Sequence, residues 1–238
     1  FPLDQGYVAP IVPAASLYDL GRGVEYIPPI SGDWGRWACE GAGDYAMENG
    51  CFGAGTGAFS YNIKGGLGTA SLILDSGITV AALVANNSIC SVINPDSGRP
   101  WEIQLEIDNE FGAQGKRSVR LPPEPEAEPI KNTTIGVVAT DAVLNVAQAQ
   151  KVAQMAHDGM ARAIRPAHTM FDGDALFCLA TGKIELPETP GTFISPWAKS
   201  LNDLGHAAAN CVSRAIIHTV LSARSLADIT AFCDLEDK

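Results

Sequence analysis

The chain has 238 residues, 46% hydrophobic and 18% charged, with 24 glycines. That composition excludes a disordered or fibrous chain and suits a single globular domain, residues 1–238, with a core of its own. A net charge of −11 leaves no basic stripe to offset phosphate repulsion, which argues against nucleic acid, and no run of eighteen apolar residues exists to cross a membrane.

The opening "FPLDQGYVAP" has no initiator methionine, charged n-region or signal h-region. It reads as entry in mid-structure, so the sequence is expected to be part of a longer chain. Residues 1–60 are rich in glycine and proline, with "APIVPAASLYDLG" expected as strand and turn. "GAGTGA" (53–58) has the spacing of a dinucleotide fingerprint, but no apolar strand leads in and "FSYNIKGGLG" stands where a helix should start. These glycines point instead to tight turns and close backbone approach.

Residues 68–87 predict a hairpin, because two β-branched runs flank the turn signal Asp75-Ser76-Gly77. The second run, 78–85, is apolar almost without break, which predicts burial on both faces. Asn86 and Asn87 end it. Residues 121–132 carry Pro122, Pro123, Pro125 and Pro129 and read as an extended, solvated linker.

The linker stops at Asn132-Thr133-Thr134, and a strand is expected at once over 135–140. Residues 145–164 predict a helix with Val152, Ala153, Ala156, Met160, Ala163 and Ile164 on one stripe. A strand over 175–180 follows, with Thr181-Gly182 turning into 183–186. A second helix over 200–223 has its stripe in Leu201, Leu204, Ala208, Cys211, Ala215 and Ile216. Strands and helices mix in both halves, so the expected class is α/β, helices packed on sheets.

Six cysteines (Cys39, Cys51, Cys90, Cys178, Cys211 and Cys233) lie scattered without a C-x-x-C pair. They read as free thiols in a reducing compartment, so the expected location is cytoplasmic. In that compartment the glycosylation pattern of Asn132-Thr133-Thr134 has no use. Strand propensity alone would also place threonines there. A third reading is chemical.

The four histidines form no catalytic motif; His168 alone stands beside other polar residues, where a structural or capping role is expected. Asp172-Gly173-Asp174 fits a plain turn. It also puts two carboxylates on one face at the start of a strand, with room between them. Such a pair repels, so it must hold a proton or face a cation, and a free α-amino group is one such cation. A threonine hydroxyl is a poor nucleophile without a base. At a chain terminus its own α-amine serves, titrating at about 7.7–8.0. The Asn132–Thr133 bond must then be cut, the hydroxyl attacking the Asn132 carbonyl. The β-branch of Thr133 restricts χ1 and holds the hydroxyl in place.

The segments "PIVPAASLYDLG", "GAGTGA", "KGGLGTASLIL", "VAALVANN", "NTTIGVVATDA" and "AHDGMARAIRPAHTMFDGDALFCLATG" resemble, in this order and over nearly the whole chain, the self-processing P1-type peptidases. These comprise the L-aminopeptidase/D-amidase-esterases, the β-peptidyl aminopeptidases and the nylon-oligomer hydrolases. The resemblance implies a four-layer α/β/β/α sandwich of N-terminal-nucleophile type with no cofactor and no metal. The chain would be cut into a larger subunit (1–132) and a smaller one (133–238) that stay together and assemble into homo-oligomers.

It further implies Thr133 as nucleophile, Asn132–Thr133 as the self-cleavage bond, and Asp172 and Asp174 as the acidic pair that orients nucleophile and amine. Asn87 would stabilise the oxyanion, and Tyr18 would be an active-site tyrosine. The family's lysine falls on Lys64, with Asn62 at the unshifted position. The family's glycine-rich segment upstream of "PIVPAA", which contributes to the sandwich, is absent from this sequence. The implied activity is hydrolysis of small peptides or amides near a free amine through an acyl-threonine. D-amino acid amides, β-peptides and 6-aminohexanoate oligomers fit the same motifs. An acyltransferase like the ornithine acetyltransferases is the alternative chemistry, and a non-catalytic binding fragment the alternative class.

Overall fold

Alternation along one strand organises the molecule. In "TTIGVVATDA" every second residue, Thr134, Gly136, Val138, Thr140 and Ala142, is buried, and the residues between them are only half covered. The computed structural model describes residues 2–9, 11–22, 30–44, 46–123, 132–191 and 195–238. The described elements begin with an exposed helix, α1 (Gly32–Glu40), capped by the Ser31 hydroxyl, and a short ladder of β1 (Phe59–Ser60) with β2 (Ile63–Lys64). The expected hairpin follows as β3 (Gly66–Ile73) and β4 (Thr79–Asn87), closed by Gly77 at φ +83°. A small hairpin of β5 (Ile93–Asn94) and β6 (Arg99–Pro100) leads to the linker, of which residues 124–131 lie outside the described residues.

After the linker come β7 (Thr133–Ala142), α2 (Val146–Ala163), β8 (Ala175–Ile184) and α3 (Ala198–Leu221). Asn145 starts α2 with a capping box, its side chain accepting from the Gln148 N–H and its own N–H donating to the Gln148 side chain. The sheet order is β3-β4-β7-β8, with β7 antiparallel to β4 and parallel to β8. A parallel pair needs a crossover, and α2 is that crossover.

Both long helices cover one face of this sheet. Val80, Ala82, Val84 and Val138 meet Val152, Ala156 and Met160 of α2 and Leu204, Ala208, Val212 and Ala215 of α3, all essentially fully buried. Gly68 lets β3 approach the Ala215 carbonyl so closely that any Cβ there would collide with it.

The other face carries Thr79, Ala81, Leu83, Val137, Ala139 and Phe177, all half-exposed, together with Leu179 (56% exposed) and Ile73 (71%). The described residues therefore form two of the four expected layers, one sheet and the helices on it. The run 78–85, apolar almost without break, is buried on its helix-facing side, while among the described residues outward Thr79, Ala81 and Leu83 are only half-covered, which corrects the two-faced expectation. Outward Ala81 and Leu83 are apolar, yet no described helix or sheet covers them. Two local expectations also change. Thr181-Gly182 does not separate two strands; it is an irregularity inside β8, at a register shift between Thr140 and Ala142 and with Gly182 at φ +69°. Residues 11–19 form no strand; Pro13 supplies no N–H and the side chains lie exposed or half-exposed.

Candidate active site

The site gathers where β4 ends and β7 begins. Thr133, first residue of β7, pairs with Asn87, last residue of β4. Because side chains alternate across a strand, and Thr134 faces the helices with no exposed surface, Thr133 projects to the opposite face. Its hydroxyl donates to the Asn132 carbonyl oxygen at 2.5 Å, so the hydroxyl lies against the carbonyl of the residue just before it. Asn132 itself is buried and bridges in parallel to Asp172, extending the β7–β8 ladder past the end of both strands. The Gly173 N–H donates to the same Asn132 carbonyl at 3.4 Å. A Cβ on Gly173 would stand 3.1 Å from the Thr133 hydroxyl.

The two aspartates flank this point with separate partners. Asp172 accepts from the Ile89 N–H at 3.2 Å and from the Thr169 hydroxyl at 2.6 Å. Burial pushes its carboxyl above the usual carboxylate range, against those two hydrogen bonds and with the nearby Asp174 charge. The side chain of Asp174 is nearly inaccessible (4% exposed). One of its oxygens accepts from the Thr134 N–H at 2.9 Å. The other accepts from the backbone N–H of His168 at 3.1 Å and meets its ring Nδ1 at 2.9 Å. Burial, followed by the charges of the two carboxylates, pushes the Cys90 thiol up.

Across the strand pair, Asn87 has no exposed surface. Its Oδ1 accepts from Arg22 at 2.5 Å and from the Phe59 N–H at 3.0 Å, which fixes which way the amide points. Its Nδ2 donates to the Tyr18 carbonyl at 3.2 Å. The main-chain carbonyl of Tyr18 thus meets Asn87, and the residue is half-buried.

Lys64 is placed differently. It is fully buried, and its ammonium donates to the carbonyls of Gly55, Ala58 and Gly65, each at 2.8 Å. Burial pushes its amine below the usual value, opposed by Cys51 and Asp19. The glycine-rich turn "GAGTGA" supplies two of those carbonyls, so its close backbone approach wraps a lysine. Asn62 clasps the start of the linker, donating to the Pro122 carbonyl at 2.5 Å.

Sequence reading passed over Arg22, Thr169 and the bond from His168 to Asp174. Thr169 was legible, since a hydroxyl three residues before an aspartate commonly closes a local turn. Arg22 meets Asn87 across 65 positions, and nothing local announces that.

The family model for peptidase family S58 matches residues 3–231. An uncharacterized aminopeptidase of Mycobacterium leprae (strain TN) is 41% identical over 97% of this chain and 66% of its own length. The 6-aminohexanoate-oligomer endohydrolase of Kocuria sp. (strain KY2) is 27% identical over 88% of this chain and 61% of its own. Among solved structures, the L-aminopeptidase D-Ala-esterase/amidase from Ochrobactrum anthropi, described as a new variant of the Ntn hydrolase fold, superposes with a TM-score of 0.60. It is 23% identical, and the match covers 86% of this chain and 53% of that one. The chain therefore spans about two thirds or less of these relatives. It has the Ntn hydrolase fold and belongs to peptidase family S58.

Proposed function

We propose that this chain is the self-processing catalytic part of an aminopeptidase or amidase with Thr133 as nucleophile. The observation that carries the reading is the contact between the Thr133 hydroxyl and the carbonyl of the residue just before it. In processing, Thr133 Oγ1 bonds to the Asn132 carbonyl carbon and the C–N bond breaks. The hydroxyl proton passes to the departing nitrogen, leaving an ester and a free α-amine on Thr133. Water then opens the ester, giving the Asn132 carboxylate and restoring the hydroxyl. The Gly173 N–H faces the oxygen on which charge develops.

In turnover the liberated amine is the base that activates Oγ1. The acyl group of a substrate moves to Thr133, its amine leaves with a proton, and water releases the acid. Asp174, held beside the start of β7, faces the new cation. Asn87 stands across the strand pair as the oxyanion donor. The aminopeptidase relatives support small peptides or amides as substrates, and the Kocuria endohydrolase supports 6-aminohexanoate oligomers as a second substrate class. The cleaved parts 1–132 and 133–238 stay associated through the β4–β7 pairing, and homo-oligomers complete the proposal.

The test is Thr133→Ala in the full-length protein. The parent is expected to give two bands on a denaturing gel, one chain opening Thr-Thr-Ile-Gly, and the variant one band. Cleavage of the variant at the same bond would remove Thr133 from the role. A panel of aminoacyl p-nitroanilides with a 6-aminohexanoate oligomer separates the substrate classes.

A further inference from the structure

Asp174 is the better-held carboxylate of the pair, and most of what holds it comes from one residue. His168 sends two donors to the same Asp174 oxygen, its backbone N–H at 3.1 Å and its ring Nδ1 at 2.9 Å. To do so its backbone sits at φ +55°, in the left-handed region that a side chain with a Cβ rarely adopts. Such a conformation persists only where surrounding contacts enforce it. The ring is anchored from its other side as well. His157 of α2 packs edge-on against it with centroids 4.9 Å apart, and His157 Nδ1 lies 3.3 Å from His168 Nε2. Facing a carboxylate oxygen, Nδ1 is assigned as the donor of this pair. The remaining Asp174 oxygen accepts from the N–H of Thr134, the residue after the nucleophile.

Resting on the reading of Thr133 given above, we propose that His168 is a positioning residue of the reaction: its side chain fixes the Asp174 carboxylate against the N-terminal end of β7. Charge-assisted hydrogen bonds are short and directional. Three donors on two oxygens therefore set both the plane and the depth of the carboxylate. After processing, the α-amine of Thr133 is one peptide unit from the N–H that Asp174 already binds. The carboxylate must keep its place when that backbone end is freed from Asn132, and His168, on a different segment, is what retains it.

Three substitutions in the full-length protein separate side chain from backbone. His168→Asn keeps a side-chain N–H donor at the position of Nδ1 and tolerates positive φ. His168→Gly accepts the backbone conformation without any donor. His168→Ala has neither advantage. The readouts are kcat and KM on an aminoacyl p-nitroanilide that the parent hydrolyses, the time course of self-cleavage, and thermal melting.

The expected result is a loss in kcat of about tenfold to a hundredfold for Ala and Gly, with KM changed by less than about twofold. Gly should melt near the parent, and Asn should keep kcat within about threefold of it. If processing fails in a variant, the self-cleavage rates are expected in the same order, Asn above Gly and Ala. Equal rates for Gly and Asn would mean that only the backbone turn matters and would overturn the proposal. Parent-like kcat in Ala would do the same. Thr133→Ala run beside them keeps the two readings apart. If it is still cut, the nucleophile assignment fails; if it is uncut while Ala and Gly at 168 match the parent, only the role of His168 falls.

Discussion

Gly173→Ala tests the geometry between the two aspartates directly. Gly173 does not lie at positive φ, so an alanine fits its backbone, and among the described residues beyond its chain neighbours a Cβ there would meet Thr133: Oγ1 at 3.1 Å and Cγ2 at 3.7 Å. Ordinary contact for a Cβ begins near 3.4 Å, so the hydroxyl must give by a few tenths of an ångström. Thr133 is β-branched and stiff at χ1. Turning it about 30° from its rotamer costs ~0.5–1.5 kcal/mol, at roughly 1.4 kcal/mol per factor of ten in rate. The displaced oxygen also leaves its approach to the Asn132 carbonyl. Against this, alanine restricts the unfolded chain and returns about 0.4–1 kcal/mol of stability. The two effects separate: the melting temperature should stay within a few degrees of the parent, while self-cleavage slows about tenfold. The assay is the appearance of fragment 133–238 on a gel over time, beside a thermal melt of the uncut protein. An unchanged cleavage rate with an unchanged melt would show that the closeness of residue 173 to the hydroxyl has no bearing on attack.

Two further outcomes follow from other parts of the site. Asn87→Ala removes a fully buried amide on which the Phe59 N–H and the Tyr18 carbonyl depend. Urea midpoints should report a loss of about 1–3 kcal/mol. Turnover of the folded fraction should fall roughly 10²–10³-fold, and a fall no larger than the loss of folded protein would make Asn87 structural only. Lys64→Met strips a donor from three backbone carbonyls and should cost about 2–3 kcal/mol near neutral pH. Burial lowers the Lys64 amine below 10.5. Between that lowered value and 10.5 the unfolded chain binds more protons than the folded one, so the parent gains stability as pH rises through this window. The Met variant should lack that gain when urea midpoints are compared at about pH 7 and about pH 10. An identical pH slope in both would refute the buried-amine reading.

Much of this was legible because it is local. The alternation in 133–142, the Asp75-Ser76-Gly77 turn and the stripes of the two long helices all lie within a few residues of themselves. Short-range sterics and periodicity set such features, and β3, β4, β7, α2 and α3 stand where the residues placed them. Two expectations failed for a shared reason. The run 78–85 could announce that it is apolar, but not whether a second layer covers its outer face. "APIVPAASLYDLG" has strand-like residues, but a strand is decided by pairing with a distant edge, and residues 11–19 form no strand.

Read alone, the residues already say that a threonine follows a stretch rich in proline and glutamate and opens an alternating, β-branched run, and that two carboxylates are separated by one glycine downstream. These are facts of neighbouring residues, fixed by the chain's own covalent order. It took the packed fold to pair Asn87 with Thr133 across the β4–β7 ladder, to bring His168 onto Asp174, and to aim the Lys64 ammonium as hydrogen-bond donor at three backbone carbonyls. Register between strands distant in sequence, and the burial that strips polar groups of water and makes them find one another, arise only when the whole core packs.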